Sequence, residues 1–374
     1  MQDLFLFYTI QNAGIKPLLW LTISICIFEP MGQFHYRDAL NFAGKLTFRR
    51  VMNVIKLWSS YRLSRLINRP VQCGYPISIS FEPTTSCNLR CPECPSGLRS
   101  FTRDTGMLEK SFFEQTIDSI HKDLLFLIFY FQGEPYLHPD FLNMVRYAAD
   151  KKIYTATSTN AHYLNDEKAK ATVESGLDRL IISIDGTTQD VYSQYRVGGQ
   201  LEKVMEGAKR IVEWKKKLQS SKPFVVFQFL VVKPNEHQID EVKKLAKEIG
   251  VDDVWLKTAQ VYDYEKDPNG LIPENNRYSR YKKDKNGVYQ PKHKLSNHCW
   301  KLWHSNVITW DGKVVPCCFD KDAQHQLGDL RTATMKEIWH NPNYQQFRNQ
   351  ISKGRKNIDI CANCSEGLKV WEGE

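Results

Sequence analysis

Cys87, Cys91 and Cys94 stand within eight positions in "TTSCNLRCPECPSG", residues 84–97. Three thiolates so close in sequence fill most of a metal's first shell and leave one position to another ligand. Zinc sites usually close with four protein ligands, and the nearest imidazoles in sequence, His121 and His138, come only after later elements. Three cysteines on one loop suit a [4Fe-4S] cluster with one iron free of protein ligands, whose shell a small molecule completes. A second set, Cys299, Cys317, Cys318, Cys361 and Cys364, lies towards the C-terminus. There "NVITWDGKVVPCC" reads as a β-hairpin turning at Asp311 and Gly312, which carries Cys317 back beside Cys299. A helix, about "TMKEIWHNPNYQQFRNQI", then leads to "CANC". Four sulfurs converge in that arrangement, which a fully ligated iron–sulfur cluster and a structural zinc ion satisfy equally.

Such loops need a scaffold. Beyond Pro76 the runs "ISISFE" (77–82), "LFLIFYF" (125–131), "IYTATST" (153–159), "LIISID" (180–185), "FVVFQFLVV" (224–232) and "DVWLK" (253–257) are short and rich in β-branched and aromatic residues. Charged segments of helical period separate them, such as "PNEHQIDEVKKLAKEIG", which stops on Gly250. Strands alternating with helices predict an α/β fold: a parallel sheet with right-handed crossovers, open or partly curled into a barrel. In both forms chemistry gathers where loops leave the carboxyl ends of the strands.

The CxxxCxxC loop after the first strand resembles the radical S-adenosylmethionine (SAM) superfamily, in which the amino and carboxylate groups of SAM chelate the fourth iron. "FYFQGEP" ends the second strand, and its Gln132, Gly133 and Glu134 resemble the family's Gly-Gly-Glu turn, which holds the SAM ammonium. Gln132 departs from the commonest first residue. "ISIDGTTQDVYSQYR" is similar to the family's ribose and carboxylate contacts, with Ser183 and Asp185 at the strand end and Arg196 pairing with the SAM carboxylate. Thr159 and Asn160 close the third strand and either line the same mouth or form a plain turn, the second reading being favoured. The residue before the third cysteine, often aromatic in the family, is Glu93 here and takes no role. The tail resembles the SPASM and shorter "twitch" extensions of radical SAM enzymes. Only one cluster's worth of cysteines is present, so the shorter form fits, with Cys299, Cys317, Cys361 and Cys364 as ligands and Cys318 spare.

The resemblance implies a partial (β/α)6 TIM-like barrel with a small C-terminal iron–sulfur domain. The chain divides into an apolar leader and basic helical segment (1–75), a radical SAM core (76–260), a basic linker (261–298) and an auxiliary cluster domain (299–367). It also implies reductive cleavage of SAM, with electrons from a partner such as flavodoxin or ferredoxin, to a 5′-deoxyadenosyl radical that abstracts a substrate hydrogen. An auxiliary [4Fe-4S] cluster accepting a second electron makes the net reaction an oxidation or dehydrogenation. The substrate, a small molecule or a peptide, stays open. A peptide-modifying maturase is the alternative, although residues 1–75 show no alternating strand run of a leader-recognition domain. A non-catalytic iron–sulfur or zinc protein would not need Glu134, Ser183 and Arg196.

At 374 residues and 42% apolar composition the chain buries a main core and a smaller second one. Ten cysteines, mostly clustered, point to metal binding in a cytoplasmic setting; the isolated Cys26 and Cys73 are expected to be free buried thiols. Of the net charge of +9, residues 1–75 carry +6, a balance that suits an anionic surface or partner. The first thirty residues contain two uncharged runs of twelve split by Lys16 and Pro17, each shorter than the roughly 18 residues that span a bilayer. A poor anchor, an interfacial segment and an extension upstream of a start at Met31 all accommodate them, and the last is favoured. From Asp38 to Arg69 a basic amphipathic helix suits either an anionic lipid surface or a face of the main domain. Residues 261–298 read as a polar linker or mobile loop in which "RYSRYKK" is solvated. No nucleic-acid partner is expected.

Overall fold

The computed structural model describes residues 35–367, so the three readings of the first thirty residues, and Cys26, lie outside it. The six expected strands form as β1 (Ser78–Phe81), β2 (Phe126–Ile128), β3 (Tyr154–Thr159), β4 (Arg179–Ser183), β5 (Phe224–Val231) and β6 (Asp253–Thr258). All pair in parallel with their sequence neighbours. The crossovers carry amphipathic helices, among them Lys110–Ile120, Phe141–Asp150, Asp166–Glu174, Leu201–Lys217 and Ile239–Ile249. Their apolar stripes pack on the outer face of the sheet through residues such as Phe113, Met144, Val204 and Val242, all inaccessible to solvent. This is the partial barrel of six βα units.

After β6 comes a small antiparallel hairpin, β7 (Tyr281–Lys283) and β8 (Tyr289–Pro291). The expected linker is therefore structured, because Leu271, Ile272 and Tyr281 are apolar enough to bury against Leu89, Val232 and Val261. The tail is also less separate than expected. Its hairpin, β9 (Ser305–Ile308) with β10 (Lys313–Val315), turns through Gly312 at φ +100°. β9 pairs in parallel with β1, and β11 (Gly328–Asp329) completes a nine-stranded sheet in the order β11-β10-β9-β1-β2-β3-β4-β5-β6. The expected tail helix is two, Met335–His340 and Pro342–Gly354, because Pro342 cannot continue the first.

Among the described residues two helices precede the barrel, α1 (Tyr36–Ala43) and α2 (Phe48–Ile67). Asp38 of α1 is buried against Arg179 and Tyr154. Arg50 of α2 donates to the carbonyls of Lys45, His121, Lys151 and Lys152, and so satisfies chain ends that follow two barrel helices. Of the two readings of this basic segment, packing on a face of the main domain is what the structure shows. Asn53, Val54, Leu57, Ser60 and Ser64 face the domain, while Phe48, Met52, Ile55, Leu63 and Leu66 point outward. No helix among the described residues is long and apolar enough to cross a membrane.

Candidate active site

The loop after β1 carries Cys87, Cys91 and Cys94 and ends in the single turn Pro95–Leu98. Packing fixes its path: a Cβ on Gly97 would lie 2.6 Å from the Cys91 nitrogen. Polar groups surround the three thiols. Arg196 Nη1 is 3.7 Å from Cys91 Sγ, Gln132 Oε1 is 3.8 Å from Cys94 Sγ, and Asn160 Nδ2 is 3.9 Å from Cys87 Sγ. Burial pushes the Cys87 thiol up to about 11 and also raises Cys91, where Arg196 opposes it. Such thiols ionise only with a metal centre to neutralise them. The all-sulfur donor set on an enclosed loop fits iron–sulfur ligation.

The turn after β2 sits directly against this loop. Gly133 has φ +75°, and a Cβ there would come 2.1 Å from the Thr84 carbonyl oxygen, so no side chain is tolerated. The Gly133 amide donates to Ser96 Oγ at 2.8 Å and the Glu134 amide to the Ser86 carbonyl at 2.8 Å. Glu134 itself is 2% exposed. Its carboxylate accepts from Thr159 Oγ1 (2.7 Å), from the Asn160 amide (2.7 Å) and from the Tyr136 amide (3.2 Å). Burial raises its pKa and these bonds oppose the rise. Thr159 and Asn160 are thus more than the plain turn expected of them. The Asn160 side chain also donates to Asn88 Oδ1 at 2.8 Å, tying the end of β3 to the cysteine loop after β1. Ser96 and Asn88 carried no sequence signal, since their partners are distant in the chain.

At the end of β4, Ser183 is buried with its hydroxyl 3.5 Å from that of Ser158. Both oxygens of Asp185 are engaged by the protein, one by Arg196 Nε at 2.5 Å and the other by the Leu230 amide at 2.7 Å. Asp185 therefore aims the guanidinium of Arg196 and presents no free oxygen of its own. Desolvation would lower the Arg196 pKa, but Asp185 and the Cys91 sulfur hold it well above the ordinary value. Glu93, unassigned from sequence, accepts from the Tyr262 amide at 2.9 Å and from Asn269, tying the cysteine loop to the segment after β6.

In the tail, Cys299, Cys317 and Cys364 lie in one another's electrostatic field and Cys361 in that of Cys364. Arg355 Nη2 donates to Cys364 Sγ at 3.2 Å and the Glu366 amide at 3.3 Å. Burial pushes Cys299 up to about 12 and Cys361 up to about 11. Cys318 packs beside Phe131, Val307 and Val315. Cys73 is free but exposed, against the expectation of a buried thiol. Among the described residues no three Cys, His, Asp or Glu side chains close around a single point as one metal ion requires.

The radical SAM superfamily profile matches residues 81–249, and the iron–sulfur cluster-binding domain named SPASM matches residues 299–365. A tungsten-containing aldehyde ferredoxin oxidoreductase cofactor-modifying protein of Pyrococcus furiosus is 28% identical over 301 residues, covering 71% of this chain and 82% of the relative. The PqqA peptide cyclase of Gluconobacter oxydans is 24% identical over 316 residues, covering 80% and 85%. Among solved structures, Streptococcus suis SuiB bound to S-adenosylmethionine superposes with a TM-score of 0.57 at 14% identity, covering 80% of this chain and 72% of that one. At that identity the likeness is one of fold.

Proposed function

The chain belongs to the radical SAM superfamily and carries a C-terminal SPASM domain, and on that premise we propose that it oxidises its substrate by abstracting a hydrogen atom. Membership implies a [4Fe-4S] cluster, SAM and auxiliary iron–sulfur. When bound, the reduced cluster and SAM supply a 5′-deoxyadenosyl radical; the protein supplies orientation and exclusion of water. Cys87, Cys91 and Cys94 hold the cluster. The Gln132–Glu134 turn takes the SAM ammonium, with Gly133 giving backbone access and the buried carboxylate giving charge. Arg196, aimed by Asp185, takes the SAM carboxylate, and Ser183 faces the ribose. Cys299, Cys317, Cys361 and Cys364 would hold one auxiliary [4Fe-4S] cluster, which would supply a one-electron acceptor beside the substrate, and a flavodoxin or ferredoxin would be the external donor.

The observation that carries this reading is the meeting of four connections at the cysteines: Gln132 after β2, Asn160 after β3 and Arg196 after β4 each reach one of the three sulfurs of the loop after β1. Replacing Cys87, Cys91 and Cys94 together with Ala is expected to remove about four irons and to abolish SAM cleavage under dithionite. Cleavage retained by the triple variant would overturn the reading. A second reading, modification of a peptide, is favoured by the PqqA peptide cyclase among the relatives.

The same protein is proposed to rest on a membrane surface through α2. Phe48 and Leu66 are 82% and 79% exposed, and Arg49, Lys56, Arg62 and Arg65 flank that stripe. Apolar residues between cations complement an anionic bilayer.

A further inference from the structure

In the strands before the edge strand β6, solvent reaches the barrel from one side. Along β1, β2, β3 and β5 the residues not fully buried are Ser80, Ile128, Ser158, Gln228 and Leu230. The strand register places them on a single face, opposite the helices. That inner face, partly open to solvent, is the side we take as the substrate chamber. It leads to the cysteine loop, since Leu230 packs in the apolar cluster that includes Cys87 and Cys94.

The chamber is rich in cations. Lys257 is paired in register with Leu230, so it shares the inner face, and its ammonium lies 5.8 Å from the Trp255 ring centre. Arg280 is anchored by Nε to Thr258 Oγ1 at 2.8 Å, but its Nη1 is buried with no hydrogen-bond partner. Lys321 lies 4.6 Å from the Tyr262 ring centre and donates to the Glu93 carbonyl at 3.4 Å. Lys301 completes the set and pairs with Glu366 at 3.4 Å. Burial lowers the pKa of Lys257, Arg280 and Lys321, and the charges oppose one another: Arg280 and Lys301 act on Lys257, and Arg280 on Lys321. The other titratable groups in their field are Tyr130, Cys94, Cys318, Cys364, Tyr281, Arg179, Glu366 and Glu93. Glu366 is matched by Lys301, and Glu93 by the Tyr262 amide and Asn269. Lys257, Arg280 and Lys321 make no ion pair among the described residues. All three are partly exposed, and gathering like charges is costly where the counter-charge from Cys94, Cys318, Cys364, Glu93 and Glu366 leaves burial and mutual repulsion in excess.

We propose that Arg280, Lys257 and Lys321 form the anion-binding wall of the substrate chamber, so that the substrate presents a carboxylate or phosphate to them and its reacting C–H to the Cys87–Cys94 loop. The inference rests on the radical SAM reading and adds the substrate's charge. The wall lies between the two cysteine sets, since Lys321 feels Cys94 and Arg280 feels Cys364. A substrate anchored there faces the SAM site on one side and the electron acceptor on the other.

The test uses the iron-loaded, SAM-saturated full chain, titrated calorimetrically with inorganic phosphate and, separately, with malonate at constant ionic strength. Saturable binding of one anion per chain is expected, and the tighter of the two distinguishes phosphate from carboxylate. Arg280→Gln and Lys257→Met, matched to wild type in iron content and thermal midpoint, are expected to weaken it at least tenfold. Equal binding by wild type and both variants, or none by wild type, overturns the proposal. So does undiminished anion binding in variants whose auxiliary-cluster electron paramagnetic resonance signal has changed, which would assign the cations to the tail centre. Dithionite-driven SAM cleavage by the wild type is scored separately. Its failure with anion binding intact refutes the radical reading and leaves the wall standing, whereas normal cleavage without anion binding refutes the wall alone.

Discussion

Glu134 shows what one buried carboxylate does for a site built from the connections after β1, β2, β3 and β4. It closes the turn after β2 onto Thr159 and Asn160 at the end of β3, and with three bonds accepted it keeps one lone pair for an ammonium. Glu134→Gln removes the charge and sets an amide N–H against the Asn160 N–H or the Thr159 hydroxyl. Losing a charge-assisted hydrogen bond costs roughly 1.5–3 kcal/mol, so SAM affinity is expected to fall about tenfold to a hundredfold. Equilibrium dialysis of iron-matched protein checks this, and an unchanged affinity contradicts the role. Thr159→Val should weaken binding less, since it removes one of three bonds to the carboxylate and leaves its charge.

At the scale of elements, the tail hairpin decides which cysteines meet. Successive side chains of an extended segment point to opposite sides, and just after β10 Cys317 lies in the electrostatic field of Cys318 and also of Cys364 and Cys299, while Cys318 packs by Phe131 and Val307. Arg355 and the short helix Asp359–Ala362 return the last pair to the same place. Cys318→Ala is therefore expected to keep the full iron content, about eight per chain for two cubane clusters, and Cys361→Ala to lose roughly half. Metal analysis of anaerobically purified protein separates this from a zinc staple, which would give zinc and about four irons. A zinc-filled tail would end the proposal that the auxiliary centre accepts an electron.

For the whole molecule, α2 joins the barrel to whatever lies outside it. Its inner face is held by Arg50, whose pKa burial lowers to about 10, and by Leu57, which is inaccessible to solvent. Its outer face leaves Phe48, Met52, Ile55, Leu63 and Leu66 uncovered. Burying such side chains in a bilayer interface is favourable by about 25 cal/mol per Å² of apolar area, and flanking cations add attraction to anionic lipid that salt screens. The full chain is expected to sediment with phosphatidylglycerol vesicles at low salt and much less with phosphatidylcholine vesicles. Phe48→Asp combined with Leu66→Asp should abolish sedimentation without altering iron content. Equal binding to both vesicle types, or retention by the double variant, would argue against the contact; concentration-dependent dimerisation on sizing columns would assign the face to a second copy.

The sequence by itself determined the barrel strands, the CxxxCxxC loop, the Gly133–Glu134 turn and the hairpin at Gly312, because each depends on local periodicity or on a residue type that few backbones tolerate. Only the tertiary structure decided what those residues touch. Thr159 and Asn160 became partners of Glu134, Asp185 became the support of Arg196, and Glu93 became a tie to the segment after β6. The pairing of β9 with β1 and the gathering of Lys257, Arg280 and Lys321 join residues that no local pattern links. A chain's periodicity records which face of an element is buried, whereas the identity of a distant neighbour is set when the sheet curls and brings its ends together.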